Sequence, residues 1–309
     1  AETEGTSSPD TVTMALLGAA DTLTVSGAEM DSIQTNQQST PGLAISHTSS
    51  KVPTSTVAWD QGQKTVISAT DASDQITIET LGGNDTVHVK SIAGATSING
   101  GSDADTIHVG NSGRVNQIAA LLTINGNDPA SVLGDVLNID DTANTAGNTG
   151  SLTANTIDFQ DMAGSITYGT IEALNIGLGS GADSFTITNT HGAATGVIQE
   201  ITNINAGPGT DTIHINGATD LLVVNGQGDV DTFNVNGTNV GSVTTLNGDA
   251  GDNIFNVRGI TGDTTVNGGN DSDTINVGSL GASRDDSIAC SYATVDFEKG
   301  RIDAIVTNT

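Results

Sequence analysis

Short runs of alternating apolar and polar residues recur along most of this chain, each opened by an acidic residue or its amide. They are Asp85-Thr86-Val87-His88-Val89, Asp105-Thr106-Ile107-His108-Val109, Asp183-Ser184-Phe185-Thr186-Ile187 and Asp211-Thr212-Ile213-His214-Ile215, then Asp231-Thr232-Phe233-Asn234-Val235, Asn253-Ile254-Phe255-Asn256-Val257 and Asp273-Thr274-Ile275-Asn276-Val277. Alternation with period two is the signature of a strand with one buried face. It assigns Ile107/Val109 and Ile275/Val277 to the core and Thr106/His108 and Thr274/Asn276 to the surface.

A second short strand ends six residues before each anchor, usually on Asn: Asn99, Asn205, Asn225, Asn247 and Asn267, with Glu79 and Gly177 in the other two copies. Anchors follow one another at about 20 residues, as in 85 to 105 and 211 to 231, and the step from 183 to 211 reads as the same unit carrying a longer loop. A unit this short cannot bury its apolar face alone, so neighbours must stack. The expected fold is therefore all-β, a right-handed parallel β-solenoid with coils of about 20 residues. Its hand follows the general rule for parallel crossovers.

Residues 1–75 are expected to form a cap or irregular first coils, with strand-like pieces at Thr11-Met14 and Asp21-Val25. Residues 76–279 form the repeat region, with 135–178 making longer coils that lack the acidic turn. Residues 280–309 lose the turn and read as closing strands.

Composition narrows the partners. Acidic residues number 36 against 8 basic ones, for a formal net charge of −28, and aromatic residues make up 3%. Nucleic-acid binding depends on clustered Lys and Arg, so that class is excluded. No run approaches the length of a membrane span. Few aromatics with high charge also marks disorder, but disordered chains do not hold a fixed apolar register. The lone Cys290 reads as a small buried residue and Trp59 needs no functional role. His88, His108 and His214 share one outward position with Asn234, Asn256 and Asn276, and read as polar ladder residues.

The six-residue turns carry the informative chemistry. They include Gly100-Gly101-Ser102-Asp103-Ala104-Asp105, Gly179-Ser180-Gly181-Ala182-Asp183, Gly207-Pro208-Gly209-Thr210-Asp211, Gly226-Gln227-Gly228-Asp229-Val230-Asp231, Gly248-Asp249-Ala250-Gly251-Asp252-Asn253 and Gly268-Gly269-Asn270-Asp271-Ser272-Asp273. Hard oxygens at short spacing suit Ca²⁺, which takes six to eight of them in a flexible shell. Asp and Asn also serve turns simply by accepting hydrogen bonds from backbone amides. The doubled acids Asp103/Asp105, Asp229/Asp231 and Asp271/Asp273 exceed what a turn needs. The expected calcium ligands are Asp85, Asp103, Asp105, Asp183, Asp211, Asp229, Asp231, Asp249, Asp252, Asn253, Asp271 and Asp273.

These turns resemble the haemolysin-type (repeats-in-toxin) nonapeptide G-G-x-G-x-D-x-U-x, found in bacterial surface and matrix β-solenoids. Gly179 to Phe185 and Gly207 to Ile213 match G-x-G-x-D-x-U. Gly100 to Ile107 and Gly268 to Ile275 match it with Asp103 and Asp271 replacing the second Gly. The family repeats the motif every nine residues, whereas here it occurs once per coil, so one row of calcium sites is expected.

The resemblance implies a non-catalytic, calcium-binding structural or adhesive segment at the cell surface or outside the cell, with extracellular glycans or further copies of itself, end to end, as partners. The alternatives are a polysaccharide-acting β-helix enzyme, a lyase or epimerase, and an ice- or mineral-binding solenoid. No aromatic or basic sugar-binding cluster stands out for the enzyme, and no catalytic residue is singled out.

Overall fold

The computed structural model describes residues 75–80, 84–127, 134–192 and 200–278, and elsewhere only the backbone of strands within 11–67 and 293–307. Trp59, Cys290 and the glycines Gly82 and Gly83 that precede Asp85 lie outside the described residues. The chain is all-β, with no helix among the described residues. It divides into two compact units. One holds Ala1–Asn111, Val115–Asn138 and Met162–Ile171; the other holds Ser112–Arg114, Ile139–Asp161 and Glu172–Thr309.

In the first unit Gln75–Glu79, Ala95–Gly101, Leu122–Asn127 and Ile166–Gly169 pair in parallel and in register. Thr11–Leu16 extends that sheet, parallel to Gln75–Glu79 and antiparallel to Leu43–Thr48. A second parallel set joins Thr22–Val25, Thr86–Val89 and Thr106–Val109. Two strands from the region expected to cap the chain, Thr11–Leu16 and Thr22–Val25, thus pair directly with strands of the repeats.

The second unit repeats the plan. One parallel set runs Thr149–Leu152, Ser184–Ile187, Thr212–Ile215, Thr232–Val235, Ile254–Val257, Ser272–Val277 and Arg301–Thr307. The other runs Ala173–Gly177, Ile201–Asn205, Leu221–Asn225, Val243–Asn247, Asp263–Asn267 and Ala293–Val295. Thr149–Leu152 also pairs antiparallel with Thr156–Phe159. The Thr153 N–H donates to the Thr156 carbonyl at 2.9 Å, and so short a link can make only a hairpin, because a parallel crossover needs a dozen residues or more.

Alternation decides what is buried. The repeat strands Thr86–Val89, Thr106–Val109, Thr212–Ile215 and Ile254–Val257 bury every second side chain. Exact register then stacks like on like, so Phe185, Ile213, Phe233, Phe255 and Ile275 form one buried column. Phe233 and Phe255 stack with centroids 4.7 Å apart and planes 6° from parallel. Each such side chain stabilises the fold by roughly 1.5–3 kcal/mol through burial. Gly150 pairs with Phe185, and a Cβ there would lie 2.6 Å from its ring, so glycine is required where that ring meets Phe159.

Polar columns run alongside. Asn225, Asn247 and Asn267 each donate from Nδ2 to the Oδ1 of the residue one repeat earlier, at 2.7–2.8 Å. The recurrent strand-ending Asn is therefore an amide ladder stitching repeat to repeat.

Candidate functional site

Each acidic anchor stands where a turn passes into a strand. Its carbonyl accepts from the next repeat, as when Thr106 N–H donates to Asp85 and Thr232 N–H to Asp211, both at 2.8 Å. Its own N–H lies beyond the end of the previous strand's ladder and would be buried without an acceptor. The carboxylate one repeat onward supplies one. Asp85 N–H donates to Asp105 Oδ1 at 2.7 Å and Asp105 N–H to Asp135 Oδ1 at 2.8 Å. In the second unit the N–H groups of Asn148, Asp183, Asp211, Asp231 and Asn253 donate to Oδ1 of Asp183, Asp211, Asp231, Asn253 and Asp273, at 2.7–3.0 Å. The stacking expected for Asp211, Asp231 and Asn253 is present.

The other carboxylate oxygen is treated differently. Oδ2 of Asp105, Asp211 and Asp231 is buried with no hydrogen-bond partner. In two cases it lies against a glycine: a Cβ on Gly100 would sit 2.6 Å from Asp105 Oδ2, and one on Gly226 2.4 Å from Asp231 Oδ2. Burial pushes all three carboxyls up to about 7. The incoming amide pulls each down, while neighbouring acids push it up again: Asp135, Asp85 and Asp103 for Asp105, Asp183 and Asp229 for Asp211, and Asp211, Asp229 and Asp249 for Asp231. Desolvation outweighs the hydrogen bond because only one of the two oxygens is solvated by the protein. Burial also raises Asp183 and Asp273. Asp183 Oδ2 accepts from Gly179 N–H at 3.1 Å.

The column contains its own neutral substitution. Asn253 accepts the Asp231 amide as an Asp would, and its Nδ2 donates to Gly251 O at 3.0 Å. The position requires an acceptor oxygen; a charge is dispensable there.

The outer acids have another task. Asp103, Asp229, Asp249 and Asp271 are exposed and hold φ of 77°, 73°, 64° and 75°. Gly209 and Gly251, at φ 143° and 111°, take the place of Asp229 and Asp271 two residues before their own anchors. Asp tolerates left-handed backbone better than most side chains, which explains why Asp103 and Asp271 stand where the nonapeptide has its second glycine. Asp249 and Asp271 also accept from Gln227 and Gly251 N–H, each at 3.1 Å, and Asp252 accepts from Ser272 N–H at 3.0 Å.

The twelve expected ligands thus fall into two sets. Asp85, Asp105, Asp183, Asp211, Asp231, Asn253 and Asp273 are buried and stacked, while Asp103, Asp229, Asp249, Asp252 and Asp271 are exposed. The donors are the hard oxygens calcium prefers. Among the described residues no group of three or more His, Cys, Asp or Glu is arranged to hold a metal ion, so a calcium shell here would draw largely on backbone carbonyls.

Two members of the column were not anticipated. Asp135 opens Val136-Leu137-Asn138-Ile139 as Asp105 opens its own strand, and Asn125-Gly126 precedes it as Asn99-Gly100 precedes Asp105. Val136 in place of the usual hydroxyl residue, and a turn four residues longer, hid the match. Asn148 opens Thr149–Leu152 and heads the column of the second unit.

His88 and His108 stack with centroids 4.7 Å apart and planes 10° from parallel, half-buried on adjacent repeats. His214 stands between Thr186 and Asn234 in the other unit. The chain matches no family model, no curated protein and no solved structure.

Proposed function

We propose that this chain is a non-catalytic structural or adhesive segment of an extracellular surface, matrix or filament assembly, wound as a right-handed parallel β-solenoid. One observation carries the reading: the column from Asn148 to Asp273 uses the conspicuous turn side chains to satisfy the backbone of the adjacent repeat. Residues engaged in this way are spent on cohesion between repeats, as a stacked scaffold requires. The acidic composition and the nonapeptide-like turns support a place outside the cell. Incubation with neutral and acidic polysaccharides is expected to leave their viscosity and reducing ends unchanged. Release of reducing or unsaturated ends would overturn the non-catalytic reading in favour of a lyase or hydrolase.

Calcium is a second reading, favoured by the buried, unpartnered Oδ2 atoms of Asp105, Asp211 and Asp231. A buried carboxyl must be neutralised by a proton or by a cation, and Ca²⁺ would supply the cation while exposed turn carbonyls complete its shell. Thermal unfolding in EDTA and in graded Ca²⁺, with Mg²⁺ as control, separates the two. A site occupied only in the folded state adds about 2.7 kcal/mol at a hundred times Kd. A calcium-selective rise in Tm supports the cation, and an unchanged Tm assigns neutralisation to protons.

A further inference from the structure

Glycine follows the strand-ending Asn in Asn99-Gly100, Asn125-Gly126, Asn225-Gly226, Asn247-Gly248 and Asn267-Gly268, and alanine follows it in Asn205-Ala206. Separate constraints impose the two residues of the pair. Asn belongs to the amide ladder. Asn225 Nδ2 donates to Asn205 Oδ1 at 2.8 Å, Asn247 Nδ2 to Asn225 Oδ1 at 2.7 Å and Asn267 Nδ2 to Asn247 Oδ1 at 2.7 Å. Glycine is required by the turn that follows. A Cβ on Gly226 would lie 2.4 Å from Asp231 Oδ2, one on Gly248 2.4 Å from Gly268 O, and one on Gly268 2.2 Å from Asp273 Oδ2. The fold therefore needs both residues, and the pair they make is chemically labile. Asn is a thermolabile residue, and glycine has no Cβ to hinder attack by its own nitrogen on the preceding carboxamide.

We propose that Asn225-Gly226 and Asn247-Gly248 are latent deamidation sites, shielded while the ladder is closed, whose reaction with water makes the opening of a repeat one-way. In an opened repeat the Gly226 nitrogen attacks Asn225 Cγ. A C–N bond forms and closes a five-membered imide, the Cγ–Nδ2 bond breaks, and Nδ2 leaves as ammonia with the proton that the glycine nitrogen gives up. Water then adds to either imide carbonyl, and ring opening leaves aspartate or isoaspartate at that position. The balance is water consumed and ammonia released, with no change of oxidation state.

The closed ladder opposes every part of this sequence. Gly226 N–H donates to Asn247 O and Gly248 N–H to Asn267 O, both at 2.8 Å, so each nitrogen is engaged with the next repeat. The carboxamides of Asn225 and Asn247 are pinned from both sides, and both glycines are buried. Ring closure has to wait for the repeat to open, so its rate in the folded chain is the open-chain rate multiplied by the open fraction. The product does not fit back. A carboxylate at position 247 has no proton to donate to Asn225 Oδ1, and two acceptors would face each other where a 2.7 Å hydrogen bond now lies. Isoaspartate also adds a methylene to the main chain, which the in-register ladder has no room for. Modification of the open state is thus a route to irreversible unfolding.

The test is to incubate the full chain at pH 8 with and without urea, then digest it and map amide-to-acid conversion by mass spectrometry. Asn225 and Asn247 should convert at least about a hundredfold more slowly in the folded chain than in urea. In urea, Asn205 should lag behind both, because Ala206 carries a Cβ. Equal rates with and without urea would overturn the shielding. Absence of conversion in urea, or an Asn205 that keeps pace, would overturn the assignment of the sites. Asn247→Asp installs the product directly and should unfold at a lower urea concentration than the wild type, or fail to fold. A variant with the wild-type midpoint would overturn the one-way step, and the comparison of folded and urea-treated wild type tests the shielding without any variant.

Discussion

Replacing Asp231 by Asn should stabilise the second unit at pH 8, do so much less at pH 5, and leave it nearly unchanged below about pH 4. Asp231 Oδ1 accepts the Asp211 amide at 2.9 Å, and its buried Oδ2 faces Gly226 without a partner. Asn keeps the acceptor and adds a donor that can reach the turn carbonyl two residues back, as Asn253 reaches Gly251. Burial, then the charges of Asp211, Asp229 and Asp249, hold the Asp231 carboxyl up at about 7 against the pull of the Asp211 amide. The unfolded carboxyl titrates near 3.8. The raised value means that the folded state binds the extra proton. The stability tied to it is complete below about pH 4, is lost as pH rises through 7, and stays lost above. The loss runs at about 1 kcal/mol per pH unit inside that window, and coupling to Asp211 limits the total to a few kcal/mol. Urea unfolding in EDTA, followed by circular dichroism from pH 5 to pH 8, should show a midpoint that falls with pH in the wild type and falls less steeply in Asp231→Asn. A variant less stable than the wild type at pH 8 would refute the argument, because it would mean that the position needs its charge. If calcium rather than a proton neutralises the site, added Ca²⁺ should flatten the wild-type slope and have less effect on the variant.

Gly226→Ala should lower stability by about 1–3 kcal/mol, since its Cβ would overlap Asp231 Oδ2 at 2.4 Å and Gly248 O at 2.9 Å. Gly228→Ala, with nothing within 4 Å of its Cβ, is the matched control and should change the melting temperature little. Phe233→Ala, which removes one of two stacked and fully buried rings, should cost about 3–5 kcal/mol in equilibrium unfolding. At φ 75°, Asp271→Gly should be tolerated to within about 1 kcal/mol, whereas Asp271→Val, a β-branched residue in left-handed backbone, should lower the melting temperature clearly.

In the regular repeats, strand positions, inward and outward faces and the six-residue turn were legible in the chain, because alternation and repeat period are local properties written residue by residue; Leu122–Asn127 and Thr149–Leu152, outside that period, were not. Ile107, Phe233 and Ile275 face the core as their spacing requires, and Asp211, Asp231 and Asn253 stack as the 20- and 22-residue steps imply. Tertiary structure alone decided what each acid does. Asp229 and Asp231 look alike in sequence, yet one is exposed at positive φ and the other accepts a buried amide from a residue 20 positions earlier. Asp135 and Asn148 join the same kind of column although long insertions separate them from their partners. His191 lies 3.6 Å from Glu200 and 3.1 Å from Thr202, contacts that no repeat or motif in the sequence announces. A side chain's burial and its hydrogen-bond partner on another repeat are set by register between distant segments, and no window of adjacent residues contains that information.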